Sequence, residues 1–190
     1  MLVVEGHKHM AEVGFARFSA REVAKRIGYS VGTIYNVFGD YDHLIIAINT
    51  RTFRLWAQFM REALEKGGTD RIATLVECYF AFARSNRKAW TAIYDHHLPS
   101  DMEMPQEHDW LRSELTEIVV TEVRNALPEQ ARTGAGSLAR SLIAIVHGHC
   151  AFDLSGSFRL MGEAAPVDMA LARVREVLAA AADKAADAPN

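Results

Sequence analysis

The stretch "FSAREVAKRIGYSVGTIYNVFGDYDHLI", residues 18–45, fits two short helical patterns around "GYS" and opens a third directly after "FGD". Isolated helices below about 12 residues are marginal in water, so these must hold one another in place. Ser19 followed by Glu22 is a capping box, and it opens a helix whose Ala20, Val23, Ala24 and Ile27 share one face before Gly28. Ser30 caps the next helix and Asp40 the one after. Ile34 and Phe38, four apart, are expected to face Ala24 and Ile27, which leaves Val31, Gly32, Thr33, Tyr35, Asn36 and Val37 outward. Helix, tight glycine-containing turn, helix is the geometry in which a second helix enters the major groove of DNA while the first crosses above it.

The rest of the chain keeps the 3.6-residue period and no run alternates at period two, so the expected fold is all-α with about nine helices. A first helix over Leu2–Val13 carries Val3, Gly6, Met10 and Val13 on one stripe and stops at Gly14. After Asp40, the stripe Leu44, Ile45, Ile48, Leu55, Phe59 and Ala63 runs to "KGGTD". Further helices are expected over Asp70–Ser85, Lys88–His97, Glu107–Ala126, Ser137–Gly156 and Val167–Ala186, with "LPSDMEMPQ" as an irregular loop between two of them. No repeat of 20 to 50 residues is present.

With 190 residues of which 49% are hydrophobic, the chain can fill a core. Its apolar runs fall short of the roughly 20 residues that span a bilayer, and "MLVVEGHKHM" has no export pattern, so the expectation is a cytoplasmic protein with no membrane segment. Cys78 and Cys150 are too few and too far apart for a disulfide framework and read as buried small hydrophobes. A net charge of −3 argues against nucleic acid as a partner when averaged over the chain. The average hides a local excess: between Phe15 and Phe38, Arg17, Arg21, Lys25 and Arg26 face Glu22 alone. Within the candidate reading helix, Gly32 lets a backbone approach closely, Thr33 offers a hydroxyl and a methyl to a base edge, and Tyr35 has phosphate reach. The expected DNA contacts are Arg21, Ser30, Val31, Gly32, Thr33, Tyr35 and Asn36, with the first amides of that helix adding phosphate affinity.

Gly14, Phe15, Ser19, Val23, Ala24, Gly28, Ser30, Gly32, Thr33, Tyr35, Phe38 and Leu44 fall on the pattern of the DNA-binding domain of TetR-family transcriptional regulators, which the first quarter of the chain resembles. The resemblance implies a three-helix DNA-binding domain, here residues 1–46, and a larger helical domain, residues 47–190, that binds a small molecule and forms the homodimer interface. "YFAFARSNRKAW" and "AIVHGHCAFDLSG" resemble a C-terminal domain type with a Trp and a His-Gly signature. Members usually begin with a basic arm and a longer first helix, so the chain is expected to start inside that helix. Where members often carry a Lys at the fourth helix, Tyr41 stands between Asp40 and Asp42, an acid pair expected to weaken phosphate binding.

In the larger domain Ser141, Ala144, Gly148, Ala151 and Ser155 form a row of small side chains, and Val167, Leu171, Val174, Leu178, Ala181 and Ala185 form an apolar stripe on the last helix. Both can pack into a symmetric four-helix interface or face their own core. The interface expected under the resemblance uses Ala144, Gly148, Ala151, Ser155, Leu171, Val174 and Leu178. For the small-molecule pocket it implies aromatic walls from Tyr79, Phe82, Trp90 and Tyr94 and polar groups from His147, Cys150 and Asp153. "YDHHLPSDMEMPQEHD" gathers Asp95, His96, His97, Asp101, Glu103, Glu107, His108 and Asp109, but without metal-ligand spacing it reads as a solvated acidic loop, so no metal or cofactor is expected. The function expected is regulation of transcription at a double-stranded operator, as a repressor released by a small, largely apolar effector. A helical scaffold without DNA binding is the alternative, and an enzyme drawing on the His, Cys and Asp groups the least favoured.

Overall fold

The computed structural model describes residues 1–98 and 102–186. Their regular structure is helical throughout: α1 (Leu2–Val13), a 3-10 turn (Phe15–Arg17), α2 (Ala20–Arg26), α3 (Val31–Phe38), α4 (Tyr41–Lys66), α5 (Arg71–Ser85) and α6 (Arg87–Asp95). After the loop come α7 (Gln106–Ala126), a second 3-10 turn (Glu129–Gly134), α8 (Ala135–Ser155), the single turn α9 (Ser157–Leu160) and α10 (Pro166–Ala186).

Residues 1–57 and 85–113 form one compact unit. Its short helices are set by their caps. Ser19 Oγ accepts the Glu22 amide at 3.3 Å, Ser30 Oγ the Thr33 amide at 3.2 Å, and Asp40 Oδ1 the His43 amide at 2.8 Å. Each cap satisfies an amide that the helix cannot. The turn between α2 and α3 closes on Gly28, at φ 75°, a conformation a side chain would strain. Met10, Val23, Ala24, Ile34, Leu44, Ile45 and Ile48 are buried to within 1% and make the core, with Phe18 and Ala20 beside them. α1 lies so close to α4 that a Cβ on Gly6 would sit 2.8 Å from Ile48 Cδ1.

The boundary expected after residue 46 differs from this grouping. α6 inserts Ala92, fully buried, into the same core and packs along α1, so 85–113 fold with the N-terminal helices. The expected α4 stripe also changes course. Leu44, Ile45 and Ile48 are buried, but Leu55 and Ala63 are half-buried and Phe59 is 39% exposed, while Thr52, Trp56 and Met60 lie inside. Thr50 and Thr52 return their hydroxyls to the carbonyls of Ile46 and Ile48 at 2.7 and 3.4 Å, which lets polar residues occupy the buried face.

Residues 58–84 and 114–186 belong to the second unit. α8 and α10 pack along each other, and Phe80, Val123, Leu142, Cys150, Ala170 and Val174 are buried to within 3%. Arg71 grips the buried Glu122 with two parallel bonds of 2.6 and 2.7 Å and gives a third to the Leu64 carbonyl at 3.1 Å, joining the starts of α5 and the ends of α7 and α4.

Candidate functional site

α3 presents one face to its core and the other to solvent. Ile34 is fully buried, Phe38 and Val31 pack partly against the core, and Gly32, Tyr35, Asn36 and Val37 are exposed. Val31, expected outward, is therefore half-committed to packing. Gly32 is not required by the fold, because a Cβ there would meet only Ser30 Oγ at 3.6 Å; the bare backbone at the start of α3 is open to another molecule. Ser30 Oγ and Thr33 Oγ1 lie 3.0 Å apart, so the two hydroxyls hold each other in place beside that opening.

The expected cationic face of four becomes three. Arg26 is drawn back onto Glu12 at 2.8 Å, with Glu5 and Glu22 at 3.6 and 3.7 Å, whereas Arg17, Arg21 and Lys25 remain exposed. The hydrogen bond from Arg26 also holds the Glu12 carboxyl below its ordinary range. The acid pair beside Tyr41 is engaged inside the unit. Asp40 bonds the His43 amide and, at 2.9 Å, the His43 ring, and these bonds lower its pKa; Asp42 meets the buried His96 Nε2 at 2.9 Å.

"GYSVG" at Gly28–Gly32 also spells the G-x-S-x-G of serine hydrolases, and "GAGSLA" at Gly134–Ala139 spells a dinucleotide-binding pattern. Both need a preceding strand, and among the described residues α2 and a 3-10 turn precede them instead. The hydroxyl of Ser30 is committed to capping α3.

Of the seven residues expected to line an effector pocket, Tyr79, Phe82, His147, Cys150 and Asp153 lie in the second unit and Trp90 and Tyr94 in the first. Tyr79 and His147 meet, Oη to Nδ1, at 3.1 Å, and burial lowers the His147 pKa. Tyr79 also lines an apolar cavity of ≈ 40 Å³ with Met60, Val76, Leu142, Val146 and Val174. Phe82 packs on Phe59, ring centres 5.8 Å apart, and Asp153 pairs with Arg84 at 2.8 Å. The Cys150 thiol is fully buried and pushed up to about 12, so it is an inert packing group. Trp90 and Tyr94 stack on each other, centres 4.9 Å apart, in the first unit and are not among the cavity's lining residues.

Of the residues expected at a dimer interface, Ala144, Gly148 and Ser155 are exposed on α8 and Ala151 is half-buried. Leu171 and Val174 are instead inside the second unit, with Val174 against the cavity, and Leu178 is half-buried. α10 thus turns the first half of its stripe to its own core.

Asp101 lies outside the described residues. Of the other candidate ligands of that loop, His108 is engaged with Thr50 at 2.8 Å, Glu107 with Arg54, Asp109 with Arg112 at 3.3 Å and His97 with the Asp95 carbonyl at 2.9 Å. Among the described residues no group of three or more His, Cys, Asp or Glu could hold a metal ion, and no helix is long and apolar enough to cross a membrane.

Capped short helices α2 and α3 around a tight turn, with α3 exposed on one face, define a helix-turn-helix regulator. Residues 2–48 match the family model of bacterial regulatory proteins of the tetR family, and residues 72–178 match the tetracyclin repressor-like C-terminal domain. The chain belongs to the TetR family of transcription regulators. Its fold is similar to that of a protein of unknown function from Rhodococcus sp. RHA1, at 22% identity and TM-score 0.70, covering 97% of this chain and 91% of the other. A candidate transcriptional regulator from Pseudomonas aeruginosa PAO1 superposes with TM-score 0.65 at 22% identity, covering 96% and 91% of the two chains. The multidrug binding protein EbrR, solved in complex with imidazole, gives TM-score 0.60 at 17% identity over 93% and 92%. No curated protein sequence matches the chain.

Proposed function

We propose that this protein is a cytoplasmic repressor that binds a double-stranded operator as a homodimer and is released by a small, largely apolar effector. The observation that carries the reading is the outer face of α3: Gly32, Tyr35 and Asn36 are exposed and Thr33 half-buried, and the preceding segment carries the exposed cations Arg17, Arg21 and Lys25. Residues 1–46 would make the DNA contacts and residues 47–190 the effector and dimer contacts. Arg21 and Tyr35 hold phosphates, Thr33 and Asn36 reach base edges, and the amides after Ser30 add to the phosphate grip.

The effector end of the reading is supported by the apolar cavity next to the Tyr79–His147 pair. At ≈ 40 Å³ it has room for a few water molecules, so a drug-sized effector enters only as the helices around it part. That requirement is also the mechanism: a ligand that binds the opened form shifts the population toward it and away from the DNA-competent form. The family's regulators act through binding, and nothing in the arrangement of Ser30, Cys150 or the His residues supplies a nucleophile with its base.

Selection of the full-length protein against a random DNA library, followed by fluorescence anisotropy with the selected sequence, tests the reading. The expected result is a palindromic site bound with an affinity that falls steeply with salt. Retardation that does not distinguish the selected site from scrambled DNA would show a helical scaffold instead.

A further inference from the structure

The first unit contains an open groove of ≈ 500 Å³ that none of the roles above uses. Its floor is one stripe of α4, in which His43, Ala47, Thr50 and Arg51 follow at helical spacing. Val3 and Val4 of α1 and Val37 and Phe38 of α3 line it with apolar surface, and the start of α7 lines it with Glu107 and His108. We propose that this groove binds a small amphipathic monocarboxylate, its carboxylate on Arg51 and its short-chain or single-ring tail against Val4, Val37 and Phe38.

The polar groups of the groove are satisfied with one exception. Thr50 gives its proton to the Ile46 carbonyl at 2.7 Å, so it accepts from His108 Nδ1 at 2.8 Å, and the two complete each other. Arg54 is held by Glu107, and His43 by Asp40. Arg51 is different: its Nε is buried without an acceptor, and among the described residues no carboxylate pairs with it. Beside it His7 Nε2 is also buried and unpartnered, and burial followed by the Arg51 charge lowers the His7 pKa. Arg51 lines the groove, and the planar fork of its guanidinium is matched by the two oxygens of a carboxylate.

One unpaired cation sets the ligand's charge. A second negative group would meet Glu107, and the apolar lining favours a hydrocarbon body over a sugar or a phosphate. The volume lies within the roughly 300–1,000 Å³ of small-molecule sites. The site is separate from the small apolar cavity lined by Tyr79, which holds no charged residue. Because Val37 and Phe38 are the last turn of α3, an occupant touches the helix assigned to DNA; that coupling rests on the DNA-binding reading, while the binding of the acid does not.

Benzoate and hexanoate are titrated into the full chain by calorimetry, with the histidine ring resonances followed by NMR and benzyl alcohol and hexanol as neutral controls. The expected result is saturable binding of one acid per chain, weak or no binding of the alcohols, and shifts of the His7, His43 and His108 rings with His147 and His149 unmoved. Arg51→Gln should weaken binding at least tenfold, and Ala47→Phe, which fills the groove and leaves Arg51 in place, should do the same. Failure of both acids to saturate, shifts centred on His147, or unchanged affinity in either folded variant overturns the site; the ring shifts of the unmodified protein decide the matter if a variant does not fold. Anisotropy with the selected operator is read separately. Acid binding without any DNA binding leaves the groove standing and sinks the regulator reading, whereas acid binding that leaves operator affinity unchanged removes the coupling alone.

Discussion

Lys25 and Arg26 are neighbours in α2 with the same charge and opposite fates. Arg26 is bound to three glutamates, while Lys25 is exposed to solvent. Lys25→Ala should weaken operator binding and reduce the slope of log affinity against log salt by about one, the signature of one lost phosphate contact. Arg26→Ala should leave that slope unchanged and lower the melting temperature instead, since it releases α2 from α1. Anisotropy titrations at several salt concentrations, together with thermal melts, separate the two. The sequence shows four cations and one acid in this stretch, but Glu5 and Glu12 lie on the preceding helix, so their capture of Arg26 depends on a crossing that spacing alone does not give. The caps were legible because their partners are local. Ser30 serves the Thr33 amide at 3.2 Å, and Ser30→Ala should cost about 1 kcal/mol in denaturant unfolding and loosen the first turn of α3.

Helix type and position were readable throughout, since a 3.6-residue period is a property of the segment itself. What each helix packs against was not. α6 follows α5 in sequence yet gives Ala92 to the N-terminal core, so Trp90 and Tyr94 belong to a different compact unit from Tyr79 and Phe82. α4 hid its burial pattern behind Thr50 and Thr52, whose bonds to their own helix are invisible to an apolar count. By spacing alone Gly6 is one member of an apolar stripe, whereas its role is to let α1 approach α4. Gly6→Leu should therefore overpack against Ile48 and destabilise the protein by roughly 1–3 kcal/mol, visible as a lower unfolding midpoint. If the midpoint is unchanged, the helices are not as close as the 2.8 Å approach requires.

Acid sensitivity is a property of the whole molecule, because histidines whose pKa values are lowered by burial occur in both units: His7, His9 and His108 in the first and His147 in the second. Each is harder to protonate folded than unfolded, so the unfolded chain takes up more protons below its ordinary value of 6.5. The stability these groups contribute is whole above that value and is lost as pH falls through the folded values. Denaturant midpoints should be flat from pH 7 to 8 and fall between about 6.5 and 5, before the carboxylates of Glu12, Asp40 and Asp70, also lowered, begin to protonate. A midpoint that rises on acidification through that window would contradict the burial of these rings.

Assembly is the other property at this scale. On α8 the exposed row Ala144, Gly148 and Ser155 is not required by the chain itself, since a Cβ on Gly148 would meet nothing within 4 Å. Phe152, 48% exposed on the same helix, adds apolar surface beside them, its ring also meeting Phe158 with centres 5.6 Å apart. Small side chains that the subunit does not need are explained if a second subunit brings its own α8 against them, and a repressor reading two half-sites about 35 Å apart needs such a partner. Gly148→Leu should leave the subunit's melting behaviour close to the parent when measured at concentrations where both are monomeric. In sedimentation it should shift the protein from dimer to monomer, and operator affinity should fall with it, because each half-site is then bound alone. A variant that stays dimeric and binds the operator as before would place the interface elsewhere, while a parent protein that sediments as a monomer would remove the dimeric reading altogether.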